Sequence, residues 1–400
     1  MANLDKIEEY NKGTVFPENY NDTYLATKHI QQYPLEIIED IVEELEKAVG
    51  EAGLYFDDDD MLKEIVTGLI RGNIILQGPP GTGKTTLAAI ICKVFNVKHD
   101  VITAVSDWTT YDTIGGLQPS VDDEGNEIII GKNGRIVESI IECCNTVLAK
   151  EKYAGVEQAS WLVVDELNRS EIDKVFGDLF TVFGCNDVDN RKMPLWFEND
   201  PNKKILYVPR RYRILGLMNN FDKNYVFDLS HGLARRFTII NVLPPKEDKF
   251  NQEIQNCKDI IAKQLPKKIE NIGTFYLTDS NINSLFEDDI FKANENILLE
   301  LLKAIRYETN DGLGLQFGTA QIIDLYENIV IQMILDKFIS MNSDKDNRLH
   351  RIMDAAVNDR IMPQVDGADY HKLKKFIKTI NENSKYDWFE KTKYTLGTLA

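Results

Sequence analysis

A glycine-rich segment with one lysine carries the clearest chemical signal in this sequence. Residues 78–86 read GPPGTGKTT and fit the spacing G-x-x-x-x-G-K-T without a mismatch. The apolar run Asn73–Gln77 precedes the segment and a helical pattern over Thr85–Phe95 follows it, which is the context expected of a phosphate-binding loop. Glycines let consecutive backbone N–H groups surround an anion, and the start of a helix adds partial positive charge. The segment therefore predicts a site for the phosphates of a nucleoside triphosphate.

The side chains of this segment have distinct expected tasks. The ammonium of Lys84 should reach the β- and γ-phosphates, and the hydroxyl of Thr85 should bind Mg²⁺. The candidates for nucleotide binding are Gly78, Pro79, Pro80, Gly81, Thr82, Gly83, Lys84, Thr85 and Thr86.

Two carboxylates follow a buried-looking apolar run further along the chain. Trp161–Val164 predicts a strand, and Asp165 and Glu166 come directly after it. Ligands of open α/β sheets bind at the carboxyl ends of the strands, so both carboxylates should lie beside the phosphate loop. We expect Asp165 to orient Mg²⁺ and Glu166 to act as general base on the attacking water.

Composition favours a chain of more than one domain. The 400 residues exceed the usual size of a single domain, and 43% of them are hydrophobic. We find no apolar run near twenty residues and no signal-peptide pattern, so we expect a cytoplasmic protein without a membrane span. The five cysteines have no C-x-x-C spacing, and we interpret them as buried, reduced thiols.

Most of the net charge of −18 comes from the first 60 residues, which contain 16 Asp and Glu but only 4 Lys and Arg. Such an acidic head is unsuited to binding phosphate backbones.

The pattern of apolar runs predicts an α/β sheet followed by helices. Short runs at Val101–Val105, Ile214–Met218 and Phe237–Val242 favour further strands of a mostly parallel sheet covered on both faces. From about residue 246 the pattern is that of amphipathic helices. They are predicted at Asn251–Gln264, Asn294–Tyr307, Thr319–Phe338 and Leu349–Arg360, and the basic stretch Lys372–Lys378 is interpreted as a charged helix face.

The combined motifs resemble AAA+ ATPases, specifically the branch that contains MoxR, dynein motor modules and the restriction motor McrB. The most specific part is VVDELNRSEIDKVFGDLFTVF at Val163–Phe183, which is similar to the D-E-I-N-R segment of McrB-type proteins. Together with the charge and the helical pattern, the resemblance divides the chain into three parts. We expect an acidic arm and helix at 1–54, an AAA+ α/β nucleotide-binding domain with β-hairpin insertions at 55–245, and an all-helical lid domain with C-terminal helices at 246–400.

Two further segments carry this resemblance and imply catalytic residues. YRILGLMNNFD at Tyr212–Asp222 is similar to the family strand that ends in M-N-T-x-D, so Asn219 would be the sensor-1 residue. Arg235 and Arg236 match an R-R-F segment, in which one arginine reaches the γ-phosphate held by a neighbouring subunit. The resemblance thus implies a homo-oligomeric ring, a hexamer.

The sequence also departs from the family pattern. Gln321 stands where a sensor-2 arginine is common, and M-N-N-F-D replaces M-N-T-x-D at Met218–Asp222. McrB-type proteins use GTP, so ATP and GTP both stay open as the substrate, with ATP favoured.

Two predicted hairpins are candidates for contacts with a macromolecule. One includes Glu127–Gly134, and the other, Arg191–Pro209, mixes Trp196, Phe197 and Tyr207 with basic residues. They could grip a polypeptide, a nucleic acid or an activator subunit, or be solvated hairpins with a small apolar cluster.

Three functions are compatible with these residues. The favoured hypothesis is the motor subunit of a restriction or phage-defence complex with a separate nuclease or activator subunit, and DNA is a possible substrate through a basic hairpin or the partner. The alternatives are a MoxR-like remodelling chaperone and a non-enzymatic AAA+ scaffold.

Overall fold

The computed structural model describes residues 33–56, 60–152, 155–177, 179–185, 187, 190–199, 204–219, 232, 235–269, 279–308, 312–341 and 343–399. These form two compact units. The first lies within 33–49, 60–78 and 84–242, and the second within 50–56, 79–83 and 243–399. The predictions for the acidic arm before residue 33 and for Asn220, Phe221 and Asp222 lie outside the described residues.

A five-stranded parallel sheet forms the centre of the first unit. Its strand order is β2-β5-β8-β1-β9, so β1 is flanked by β8 and β9. The strands are β1 (Asn73–Gly78), β2 (Lys98–Thr103), β5 (Ser160–Asp165), β8 (Ile214–Asn219) and β9 (Phe237–Asn241). Because all of them run in one direction, their carboxyl ends meet at one edge.

Helices flank this sheet. They are α1 (Ile41–Glu51), α2 (Met61–Arg71), α3 (Lys84–Val94), α4 (Thr110–Thr113), α5 (Arg135–Lys152), α6 (Ile172–Phe176) and α7 (Leu179–Phe183). The central strands β1, β5 and β8 are almost wholly buried, as the apolar runs predict. For β2 the predicted burial on both faces is wrong, because β2 is an edge strand and Val101 is 45% exposed.

Two antiparallel hairpins interrupt the α/β pattern. The first pairs β3 (Gly115–Val121) with β4 (Glu127–Asn133), and the second pairs β6 (Lys192–Pro194) with β7 (Ile205–Tyr207). Both hairpins were predicted. The turn of the first lies at residues 122–126, where Asp122 accepts backbone hydrogen bonds from Glu124 and Asn126.

In the second hairpin, Phe197 and Tyr207 are buried and Trp196 is 69% exposed.

Helices make up most of the second unit. They are α8 (Phe250–Ile269), α9 (Asp279–Phe286), α10 (Asp289–Arg306), α11 (Thr319–Leu335), α12 (Lys345–Arg360), α13 (Tyr370–Glu382) and α14 (Glu390–Leu399). The four helices that were predicted, α8, α10, α11 and α12, each start or end a few residues away from the predicted bounds. The apolar residues that identify a helix do not show where it begins and ends. On α13 the side chains of Leu373, Phe376 and Ile380 are buried and the lysines stay exposed, so the predicted charged face is confirmed.

A buried ion pair connects three helices of this unit. Arg306 of α10 donates from Nη1 to Glu253 of α8 at 2.6 Å, and the hydroxyl of Thr319 at the start of α11 donates to the same carboxylate at 2.6 Å. Both charged side chains are almost fully excluded from solvent. The two hydrogen bonds fix the start of α11 relative to α8 and α10.

The predicted fold class is therefore confirmed, with a central parallel sheet flanked by helices and a helical carboxyl-terminal part. No helix of the described residues is long and apolar enough to cross a membrane. Cys92, Cys143, Cys144 and Cys257 are buried and Cys185 is half-buried, and none of the five forms a disulfide.

Candidate nucleotide-binding site

Lys84 begins α3 immediately after the loop that leaves β1. Its side chain is 7% exposed, and Nζ donates to the backbone carbonyl of Gly78 at 3.0 Å. Burial lowers the pKa of Lys84 to about 8, although the nearby carboxylates of Asp165 and Glu166 act in the opposite direction. Asp165 and Glu166 act on this pKa because their carboxylates lie close to the ammonium at the carboxyl edge of the sheet, as the sequence predicts.

The loop Pro79–Gly83 has the backbone shape that anion binding requires. Gly81 and Gly83 have φ values of 74° and 81°, in the left-handed region that favours glycine. The hydroxyl of Thr82 donates to the carbonyl of Pro79 at 3.0 Å. Alternating left- and right-handed residues direct successive N–H groups toward one point, which forms a nest for phosphate oxygens.

Within the second unit, this loop packs against the start of α11. The backbone N–H of Ala320 donates to the carbonyl of Gly81 at 3.0 Å. Gln321 donates from Nε2 to the carbonyl of Pro80 at 3.1 Å and accepts from the N–H of Gly318 at 3.0 Å. The side chain at the position expected for sensor 2 is therefore occupied in holding the phosphate loop.

Oxygen ligands suited to Mg²⁺ occur at this edge of the sheet. The hydroxyl of Thr85 is exposed and makes no hydrogen bond with the described residues, and Thr86 beside it is exposed as well. Asp165, the last residue of β5, uses one carboxylate oxygen to accept from the N–H of Glu166 at 2.8 Å. Mg²⁺ prefers hard oxygen ligands and keeps several waters, so Thr85 and Asp165 fit such an ion.

Glu166 has an unusual backbone and an anchored carboxylate. Its φ is 52°, which a residue other than glycine seldom adopts and which occurs most often at functional sites. Nδ2 of Asn219 donates to Oε1 at 2.8 Å, and Nε of Arg169 donates to Oε2 at 3.3 Å. The structure thus brings the expected base and the expected sensor into direct contact.

Asn168 is a residue of the site to which the sequence assigned no role. It is 1% exposed and donates from Nδ2 to the backbone carbonyl of Asn219 at 2.9 Å. Its Oδ1 is buried without a hydrogen bond to the described residues. Asn168 belongs to the D-E-L-N-R segment, and its spacing of three residues from Asp165 was the available signal.

The two candidate finger arginines have different surroundings. Arg236 donates from Nε to the carbonyl of Phe180 at 2.6 Å and from Nη1 to the carbonyl of Gly232 at 2.8 Å, and its guanidinium lies over the Phe180 ring. Arg235 is exposed and makes no hydrogen bond or ion pair with the described part of the chain. Only Arg235 is thus available to a second molecule without breaking existing bonds.

Comparisons with known proteins agree with this geometry. Residues 73–237 match the family model described as AAA domain (dynein-related subfamily). This stretch covers the phosphate loop, the acidic pair and Asn219, and it ends directly after Arg236. The fold is therefore that of an AAA+ protein with a phosphate loop, and residues 73–237 are similar to the dynein-related subfamily.

Similarity to solved structures is weaker. A Cytophaga hutchinsonii protein described as a presumed ATPase is 13% identical, with 95% of this chain and 96% of that chain covered and a TM-score of 0.35. A point mutant of RuvB from Thermotoga maritima is 15% identical, with 92% and 80% covered and a TM-score of 0.39. A search of curated proteins finds no significant match. The fold assignment accordingly rests on the sheet order and the family model.

Proposed function

We propose that this protein is a Mg²⁺-dependent nucleoside triphosphatase that works as a ring motor. The observation that carries the proposal is the 2.8 Å hydrogen bond between Asn219 and the carboxylate of Glu166, at the ends of neighbouring strands. A purely structural pair of strand ends has no need of a carboxylate held in a fixed orientation near a buried lysine such as Lys84.

Each residue then has a defined task in hydrolysis. The loop N–H groups and Lys84 bind the phosphates, and Thr85 and Asp165 would hold Mg²⁺, which supplies charge neutralisation between the β- and γ-phosphates. Glu166 accepts a proton from water as the water oxygen forms a bond to the γ-phosphorus. The bond from that phosphorus to the β,γ-bridging oxygen breaks, and the products are a nucleoside diphosphate and phosphate.

Assembly into a ring is the second part of the proposal. Arg235 is exposed and bound by nothing described, so it suits the task of an arginine that stabilises the γ-phosphate in a neighbouring subunit. A finger that acts between copies requires each site to be completed by another chain, which a closed hexamer provides.

The macromolecule that is remodelled or translocated belongs to the same proposal. The D-E-L-N-R segment favours an McrB-like motor with a separate nuclease, with ATP or GTP as substrate. Asn168 of that segment holds the carbonyl of Asn219, which gives the segment a task in the site. A MoxR-like chaperone has the same site, and dependence of turnover on DNA distinguishes it from the motor.

The first experiment measures phosphate release with ATP and with GTP, with and without DNA. We expect turnover that requires Mg²⁺ and that Lys84→Ala and Glu166→Gln abolish, while Glu166→Gln still binds nucleotide. Turnover that survives Glu166→Gln would contradict the proposed base. Nucleotide binding without turnover under every condition would favour a scaffold.

A mixing experiment tests the arginine. Lys84→Ala and Arg235→Ala should each be inactive alone, and an equimolar mixture should recover about a quarter of the parental sites, because random neighbours then pair an intact loop with an intact arginine. The matched control is Arg236→Ala, which should lose stability and show no recovery when mixed. Recovery with Arg236→Ala and not with Arg235→Ala would assign the finger to the other residue.

A further inference from the structure

One side-chain amide, that of Gln321, bridges the start of α11 and the phosphate loop. Oε1 accepts from the backbone N–H of Gly318 at 3.0 Å, and Nε2 donates to the carbonyl of Pro80 at 3.1 Å. An N–H needs an acceptor and a carbonyl needs a donor, so these two partners allow only one orientation of the amide. Gln321 therefore connects the cap of α11 to the loop in a defined geometry.

The start of α11 is itself anchored by contacts that do not involve the loop. The hydroxyl of Thr319 donates to the carboxylate of Glu253 at 2.6 Å, and Arg306 donates to the same carboxylate. These bonds join α11 to α8 and α10 within the second unit. The helix is thus the anchored partner in this contact, and the loop is held against it.

Close packing accompanies the hydrogen bonds. A Cβ at Gly81 would lie 1.9 Å from Oε1 of Gln321, and a Cβ at Gly318 would lie 2.1 Å from the carbonyl group of Gly81. Gly81 also has a φ of 74°, which favours glycine. The loop and the start of α11 therefore approach so closely that only glycine fits at either position.

The carbonyl groups that α11 binds determine where the N–H groups of the loop point. The carbonyl of Pro80 accepts from Gln321 at 3.1 Å, and that of Gly81 accepts from the backbone N–H of Ala320 at 3.0 Å. In a planar trans peptide unit the C=O and N–H bonds point in opposite directions. The N–H groups of these two peptide units belong to Gly81 and Thr82, so both point away from α11.

These two N–H groups are most of the backbone donors in this part of the loop. Pro79 and Pro80 have no N–H, so within residues 79–83 only Gly81, Thr82 and Gly83 can donate. The N–H groups of Gly81 and Thr82 make no hydrogen bond with the described residues. They are therefore available to phosphate oxygens, and α11 orients two of the three donors.

We propose that Gln321 is a positioning residue of the nucleotide site, which aligns the N–H of Gly81 for a phosphate oxygen by holding the carbonyl of Pro80. Gln321 has this role only if the loop binds the phosphates of a nucleotide, so the inference rests on the proposed function. A neutral amide cannot neutralise the charge of the γ-phosphate as an arginine would. Gln321 instead fixes the donor geometry before the nucleotide arrives, which reduces the cost of binding.

The test compares two substitutions that remove different parts of this arrangement. Gln321→Met is uncharged and removes both hydrogen bonds, whereas Gln321→Glu keeps an acceptor for the N–H of Gly318 but has no donor for Pro80. Because a carboxylate is favourable in the first turn of a helix, Gln321→Glu should keep the parental stability in thermal unfolding. The two variants share only the loss of the donor to Pro80. Gln332→Met, the same substitution further along α11, is the matched control.

Calorimetric titration measures the binding of ADP, GDP and the non-hydrolysable analogues of ATP and GTP. Both Gln321 variants should bind the nucleotides of the parent about fivefold to tenfold more weakly, which corresponds to the loss of one hydrogen bond. The factor should be similar for diphosphates and triphosphates, because the loop has to be aligned for either. In steady-state turnover KM should rise by this factor and kcat should change by less than about twofold, as expected when binding is lost equally in the ground and transition states. Gln332→Met should match the parent.

Three results would overturn this role of Gln321. Parental affinity in Gln321→Glu would show that the helix cap matters and the contact with Pro80 does not. A loss confined to triphosphates would indicate that Gln321 contacts the γ-phosphate directly, and an equal loss in Gln332→Met would indicate a general effect on α11. A parent that binds nucleotide without turnover contradicts the proposed function alone, whereas a parent that binds no nucleotide contradicts both.

Discussion

The buried ammonium of Lys84 should couple nucleotide binding to the uptake of a proton. Burial lowers the pKa of Lys84 from 10.5 to about 8 in the unliganded protein, so about half of these groups are neutral at pH 8 and most are neutral above it. The phosphates of a bound nucleotide bring negative charge next to it and raise the pKa again. Binding above pH 8 must therefore return a proton to Lys84.

The size of the effect follows from this shift. Affinity should fall about tenfold for each pH unit well above 8, so the Kd at pH 9.5 should be about twenty-five-fold higher than at pH 7.5. Unfolding does not explain such a loss. The pKa of Lys84 is lower in the folded protein than in the unfolded chain. The buried charge therefore destabilises the fold fully below pH 8, and the free energy of unfolding rises as pH increases from 8 toward 10.5.

The assay is calorimetric titration with a non-hydrolysable nucleotide in two buffers of different ionisation enthalpy, at pH values from 7 to 9.5. The expected result is proton uptake near pH 9 together with the fall in affinity. Lys84→Arg is the control, because its guanidinium stays charged and should show neither effect even if binding is weaker overall. An equal pH dependence in both proteins, or none in the parent, would refute the reasoning.

Further substitutions test the second unit. In Gly318→Ala the new Cβ would lie 2.1 Å from the carbonyl carbon of Gly81, so the phosphate loop must move by about 1 Å, and nucleotide affinity should fall about tenfold or more in a fluorescence titration. Gly397→Ala, which meets nothing within 4 Å in α14, should leave affinity unchanged and raise stability by about 0.5–1 kcal/mol. Arg306→Met should destabilise by about 3–5 kcal/mol in urea unfolding because Glu253 is left buried and charged, and Glu253→Leu in addition should restore part of that loss.

The sequence predicts those parts of the site that form contiguous motifs. The phosphate loop and the Asp165–Glu166 pair each occupy one short segment, and each follows a strand whose apolar run is visible. Asn219 was identified only through the family resemblance, and the parallel sheet explains its position, because the carboxyl ends of β5 and β8 meet at one edge. The structure adds the distance of 2.8 Å between the side chains of Asn219 and Glu166.

Contacts between distant segments were not predictable in the same way. Gln321 lies 241 residues from Pro80, and Arg213 lies 144 residues from Leu69. Glutamine and arginine side chains can donate to carbonyls, carboxylates or water, so their residue types alone do not identify the partner. The three arginines that follow Pro209 show the same limit, because the structure buries Arg211 and Arg213 and leaves Arg210 exposed.

Anchoring of Glu166 does not prevent it from acting as a base. A carboxylate has about four acceptor positions on its two oxygens. Asn219 and Arg169 use one position on each oxygen, so both oxygens can still accept a hydrogen bond from water. The left-handed backbone of Glu166 and the hydrogen bond from Asn168 to Asn219 fix the direction in which the free acceptor positions of the carboxylate point. The contacts are therefore compatible with the proposed role of Glu166 as base, because neither hydrogen bond has to break before Glu166 accepts one from water.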